Sequence, residues 1–308
     1  MILRSQTQMR TITAARAESS RADAADLAEF AELAGYYGPD SVTWRVGSEA
    51  ALMVGGARAI LMQLAHPLVA AGVGQHSSYG SDPWGRMYRT LDLGRRMTFG
   101  TRSEARAAAR TINRLHTHVT GALEATAGGL PGGTPYRARE PELLLWVFAT
   151  LVDTALSLYP LLVGPLSADE QERYYQEGVE GMRLLGMAVE AAPPTVAAFK
   201  GYMRDMLAGD ALALTPPAAD VARTILNMPA PLALRPLLRP ALLLNERLTI
   251  GLLPPPLRDL YGFRWSDRQQ RLFDLWTASM RLMVPRLPAL VRQPPWARAA
   301  WRRMRRRY

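Results

Sequence analysis

The chain has 308 residues, 48% of them hydrophobic, with 24 glycines and 23 prolines. That is enough apolar material for one large core or two small ones, and too much for a disordered chain. There are no cysteines, which excludes disulfides, thiolate catalysis, zinc fingers and iron–sulfur clusters, and basic residues exceed acidic ones by 37 to 27 for a net charge of +10.

Such a balance makes nucleic acid or an anionic membrane the first partners to test. The excess is unevenly placed. No acidic residue follows Asp274, whereas nine arginines do, from Arg281 to Arg307, so nine of the ten net charges lie there. The body is close to neutral. Lys200 is the only lysine, an arginine bias that reflects a GC-rich genome better than separate functional demands.

Residues 1–25 are polar and rich in Ala, Arg and Ser, and are expected to form a flexible segment. They lack the apolar region of about 7–15 residues that marks a secretory signal. Residues 26–308 read as one helical domain with a basic C-terminal helix. A first apolar helix is expected over 47–65, ending or kinking at Pro67, followed by a linker, GVGQHSSYGSD. Asp82 and Pro83 fit the cap and first position of a helix that Gly100 ends. Thr101 with Glu104 makes a capping box for a helix expected over 102–126 and running to Gly128-Gly129. Pro141 opens the next, to about 162. Ser167 with Glu170 opens another, ending near Gly186.

Further helices are expected at 194–208, 216–227, 231–250, 266–284 and 295–307. Proline-rich breaks punctuate them. No alternating strand pattern, hairpin dipeptide or internal repeat is present. The fold class is therefore all-α, in a single domain.

The strongest candidate for a membrane span is 143–163, which carries Asp153 at its centre. A mid-membrane aspartate costs about 2.5–3.5 kcal/mol. A buried helix whose acid is paired with an arginine explains the run as well, and a catalytic acid is the sharper alternative. The protein is read as soluble and cytoplasmic, with peripheral contact to anionic membrane through the arginine-rich C-terminus. There Trp296 and Trp301 lie beside arginines; a solvated helical tail is the plainer reading.

Imidazole chemistry has four candidates: His66, His76, His116 and His118. On the helix 102–126, His116 follows Ile112 by four residues and precedes Val119 by three, so it points into the apolar face. His118 lies roughly 200° around the helix from His116, on the side of Arg110 and Arg114. The two therefore cannot chelate one metal from a regular helix. His116 is either a core histidine satisfied by one hydrogen bond or an axial ligand to haem. Arg86 and Thr90, at i and i+4, share a face. They are either surface residues or a pair able to bind a carboxylate or polarise dioxygen. His66, before Pro67, and His76, in the glycine/serine linker, are a helix-end and a loop histidine or line a pocket. No Walker loop, GxGxxG, HExxH, GxSxG or di-iron motif is present.

Taken together, certain strings carry a resemblance: GPDSVTWRVGSEAALMVGGARAILMQLAHPLVAAGVGQHSSYGSDPWGRMYRT, FGTRSEARAAARTINRLHTHVTG, GTPYRAREPELLLWVFATLVDTAL and LLPPPLRDLYGFRW. The sequence resembles the bacterial family grouped with the catalytic domain of latex clearing protein and the mycophenolic-acid-pathway oxygenase B, over about residues 38–300.

The resemblance implies a globin-like helical core holding haem b, with His116 as the iron ligand and Arg86 and Thr90 in the haem pocket. It implies dioxygen and a small apolar, terpenoid or lipid-like olefin as reactants, with cleavage of the carbon–carbon double bond into two carbonyls. Nucleic acid is not expected. Three departures stand out. Where the rubber-cleaving branch has a lysine that closes the distal iron site, this chain has Arg89, whose guanidinium is no ordinary ligand. No counterpart of that branch's glutamate base exists between Ala50 and Gly100, where the only acids are Asp82 and Asp92. Where many relatives read Trp-x-His, this chain has Trp146-Val147-Phe148. A haem-binding sensor or carrier without turnover is the alternative.

Overall fold

The computed structural model describes residues 27–229 and 235–305. The segment 1–25 and the start of the helix expected over 231–250 lie outside them. The described residues form an all-α domain. After α1 (27–34) come α2 (Val42–Gly47), α3 (Gly55–Leu64), α4 (Pro67–His76), α5 (Pro83–Phe99) and α6 (Arg102–Thr117). A small hairpin, β1 (Thr120–Ala122) and β2 (Pro135–Arg137), leads to α7 (Pro141–Leu162), α8 (Ala168–Arg183), α9 (Val196–Ala208) and α10 (Pro216–Leu226). The chain closes with α11 (Arg235–Leu252), α12 (Pro255–Leu260), α13 (Asp267–Met283), α14 (Ala289–Arg292) and α15 (Pro295–Arg305).

Helix starts follow local chemistry. The Thr101–Glu104 and Ser167–Glu170 capping boxes are both formed, and Asp82 and Thr215 cap α5 and α10 ahead of proline. Each side-chain oxygen takes up a backbone N–H that would otherwise be left without a partner.

α7 organises the core. It is long and apolar enough to cross a membrane by length and composition, yet most of it is buried against its neighbours. Leu145, Trp146, Phe148, Ala149 and Val152 pack with Leu61 and Met62 of α3, Tyr175 of α8 and Phe199 of α9. Its C-terminal turns join α2 and Phe273 of α13 in a second cluster. Asp153 is paired as expected: Arg58 of α3, 3% exposed, bonds Asp153 at 2.6 Å, Thr154 at 2.5 Å and the Leu252 carbonyl at 2.7 Å.

Four expectations need correction. The first helix is not continuous over 47–65; a 3₁₀ turn (Ala50–Val54) precedes α3, and the chain bends by 108° into α4 at His66-Pro67. A proline cannot continue the hydrogen-bond ladder of the helix before it. The expected linker is helical as far as His76, which is therefore the last residue of α4 and not a loop residue. The helix expected over 102–126 stops at Thr117. Beyond it Thr120–Ala122 pairs antiparallel with Pro135–Arg137, a hairpin with no alternating apolar pattern to announce it. Gly128 turns this segment at φ +57°, where a Cβ would lie 2.7 Å from the Ala211 carbonyl oxygen, so the turn needs glycine.

The basic C-terminal helix is docked. Ala297, Ala300 and Met304 of α15 are buried with Trp44 and Phe99, and Arg303 donates to the carbonyls of Leu33 and Phe99.

Candidate haem-binding site

α5 and α6 are joined only by Gly100 and Thr101 and pack along each other. Arg86 and His116 are nearly equidistant in sequence from that turn, so the hairpin brings the first half of α5 beside the end of α6. His116 is half-buried in the last turn of α6, and His118, the C-cap, is exposed. The two histidines thus differ in exposure, but the helix on which their facing was read ends at Thr117, before His118 and Val119. Leu115, next to His116, is 56% exposed. Val119 and Leu123 lie beyond the helix.

The Nδ1 atom of His116 is buried and has no hydrogen-bond partner. Burial lowers the imidazole pKa, and the positive charges of Arg86 and then Arg139 lower it further. The carbonyl end of a helix favours a cation, so here desolvation and the two guanidiniums outweigh the helix dipole. The result is a neutral ring at neutral pH. A buried polar atom without a partner costs about 1–3 kcal/mol, which calls for an explanation.

Arg86 is held from three sides. Its Nε donates to Ser77 Oγ at 3.3 Å, its guanidinium lies 5.5 Å from the centroid of the buried Tyr79 ring, and its Nη1 donates to Thr90 Oγ1. The Thr90 hydroxyl in turn donates to the Arg86 carbonyl at 2.9 Å. Both hydrogen-bonding functions of Thr90 are therefore engaged with Arg86, and the threonine fixes the arginine. Arg89 is engaged by Asp82 and Ser78, at 3.0 Å each.

Of the remaining candidates, His76 is exposed, with Nε2 3.0 Å from the Thr120 carbonyl oxygen, and ties α4 to the hairpin. His66 sits at the bend before α4. Its Nδ1 is buried without a partner, and burial pushes its pKa down to about 4. Phe148 packs against Tyr175 in the core. Arg139 was missed from the sequence. It lies within the quoted GTPYRARE string, but a helix running to 126 would have carried the chain away from His116. The hairpin returns it.

Among the described residues no group of three His, Asp or Glu side chains could hold a metal ion. A lone imidazole retains iron only when a macrocycle brings the other ligands. The neutral ring and the cations of Arg86 and Arg139 fit that case. They offer an axial nitrogen and partners for carboxylates.

The family model described as the catalytic domain of ER-bound oxygenase mpaB/B' and rubber oxygenase matches residues 44–283. The chain belongs to this oxygenase family. The matched span takes in α3 to α13 and so the whole of this site. The chain is also 27% identical over 233 residues to uncharacterised proteins of Mycobacterium bovis and Mycobacterium tuberculosis, covering 74% of this chain and 86% of each relative. No solved structure gives a significant match.

Proposed function

We propose that this protein is a haem b-dependent oxygenase that uses dioxygen to cleave a carbon–carbon double bond of an apolar, terpenoid or lipid-like substrate. The observation that carries this reading is His116, a desolvated imidazole whose Nδ1 is buried without a partner, with two arginines close enough to depress its pKa. In this reading the α5–α6 hairpin forms one wall of a globin-like core. Haem bound there would supply the activation of dioxygen.

The protein's own residues supply the rest. His116 stays neutral, so a ring nitrogen keeps its lone pair for iron. Arg86 and Arg139 present guanidiniums to the haem carboxylates, and those carboxylates relieve the repulsion of two unpaired cations. Thr90 and Ser77 hold Arg86 in position. Trp84, Met87 and Leu91 give an apolar substrate a surface from which water is displaced.

A second reading, a haem sensor or carrier, is favoured by one observation. Asp82 is engaged with Arg89 and the Gly85 amide, and Asp92 with Arg95 and Arg96, so neither stands free as a base. Oxygen consumption by haemin-loaded protein with polyisoprenoid olefins separates the two. The oxygenase reading expects carbonyl products in proportion to oxygen consumed. Stable loaded protein that turns over no olefin supports the sensor or carrier. Protein that takes up no haemin contradicts both.

A further inference from the structure

α13 is apolar on two sides. Its inner face buries Phe273 and Thr277 and packs Trp276 and Met280 against α7. Leu272, Leu275 and Leu282 form a second stripe at spacings of three and seven, and are 58%, 66% and 62% exposed. The chain beyond continues it, with Leu287, Leu290 and Val291 at 39%, 71% and 60%. An ordinary surface helix turns one apolar stripe inward and a polar face outward. A monomeric protein rarely leaves so many large apolar side chains together in water.

The charges around this stripe are mostly positive, with Asp267 and Asp274 as the acids on the helix. Arg268, Arg271, Arg281 and Arg286 are exposed along it. No acid follows Asp274, and Asp274 itself accepts from Gln270 at 2.7 Å. Asp267 stands at the start of the helix, where it faces the dipole. Beside Arg281 and Leu282 an open groove of about 570 Å³ runs between α13 and the Pro160 region of α7, lined also by Leu161 and Ala278.

We propose that the outer face of α13 and the segment to Val291 dock on an anionic lipid surface. The leucines enter the acyl boundary, the arginines meet lipid phosphates, and the groove seats an acyl chain. Leucine beside arginine on one helix face is the composition of an interfacial helix. Charge complementarity selects this occupant over a second copy of the chain. A second copy would set two faces of net positive charge together, with only Asp267 and Asp274 to offset Arg268, Arg271, Arg281 and Arg286. The α15 arginines are not needed for it, since that helix is docked on the core.

The test is sedimentation of the full chain with phosphatidylcholine vesicles, with and without phosphatidylglycerol. Binding is expected only with phosphatidylglycerol, and to weaken as salt is raised. Leu275→Ser with Leu282→Ser should weaken it about tenfold or more. Arg268→Gln with Arg271→Gln should weaken it about tenfold and flatten the salt dependence. Leu27→Ser, an exposed leucine on α1, should leave it unchanged. All variants are to match the parent in thermal melting and haemin uptake. No binding to anionic vesicles, binding unaffected by the double leucine variant, or a dimer in solution that this variant dissolves would overturn the proposal.

Discussion

The α7 core and the α5–α6 hairpin both place an ionisable side chain on an apolar helix, and they treat it in opposite ways. Asp153 is met by Arg58, and Arg58 is met again by Thr154 and the Leu252 carbonyl. His116 is half-buried, makes no hydrogen bond at Nδ1, and faces only positive charge. A buried charge with every partner in place is a structural element. His66 Nδ1 is likewise buried without a partner, so the missing hydrogen bond alone does not mark a ligand site. What sets His116 apart is the pair of guanidiniums, Arg86 and Arg139, beside it.

The largest expected effect is at the unpartnered group. His116→Ala should weaken haemin retention about a hundredfold or more, while His118→Ala should change it less than about twofold, as read by a Soret titration. Equal losses would remove the contrast between a facing and an exposed histidine. At the partnered group the effect should fall on stability. Asp153→Ala leaves Arg58 buried without its counter-charge, and should cost about 3–5 kcal/mol in urea denaturation with haemin uptake per folded molecule unchanged. Full stability in that variant would mean the pair is dispensable.

His66 sharpens the comparison through pH. Its folded pKa of about 4 lies below the ordinary 6.5, so the unfolded chain takes up a proton first as pH falls. Its contribution is fully present above pH 6.5 and should decline by about 2–3 kcal/mol on acidification to 4. His116 adds a change of the same sign, since its pKa is also lowered. His66→Leu should flatten the acid limb of the stability profile, and an unchanged limb would place the proton uptake elsewhere. The smallest effect concerns orientation. Thr90→Val frees Arg86 from one restraint and should weaken haemin binding about two- to fivefold without loss of stability, as read by the same titration.

Much of the fold was legible because it is written in short-range chemistry. Capping boxes, Asp82 before Pro83 and Thr215 before Pro216 fixed where helices begin, and the Asp153 pairing followed from the cost of a lone buried carboxylate. The hairpin at 120–137 was not legible, because its strands are three residues each, too short to show a period, and its turn depends on glycines at positive φ. That omission hid Arg139, which reaches His116 only through the hairpin. Helical phase set His116 apart from His118 but left a core histidine and an iron ligand as alternatives; the proposed role came from the family resemblance. The absence of a partner on Nδ1 is a tertiary fact that no spacing encodes. The second stripe of α13 also escaped notice, because which apolar face a helix buries is decided by what packs on it.

The central claim is that His116 supplies the nitrogen that holds iron. Its most direct test is His116→Gly loaded with haemin, with and without free imidazole, followed by the reduced carbon monoxide spectrum. The account predicts that the variant alone retains little haemin, and that imidazole restores both uptake and the Soret shift on carbon monoxide binding. Retention equal to the parent protein without imidazole, or no restoration with it, would contradict the account.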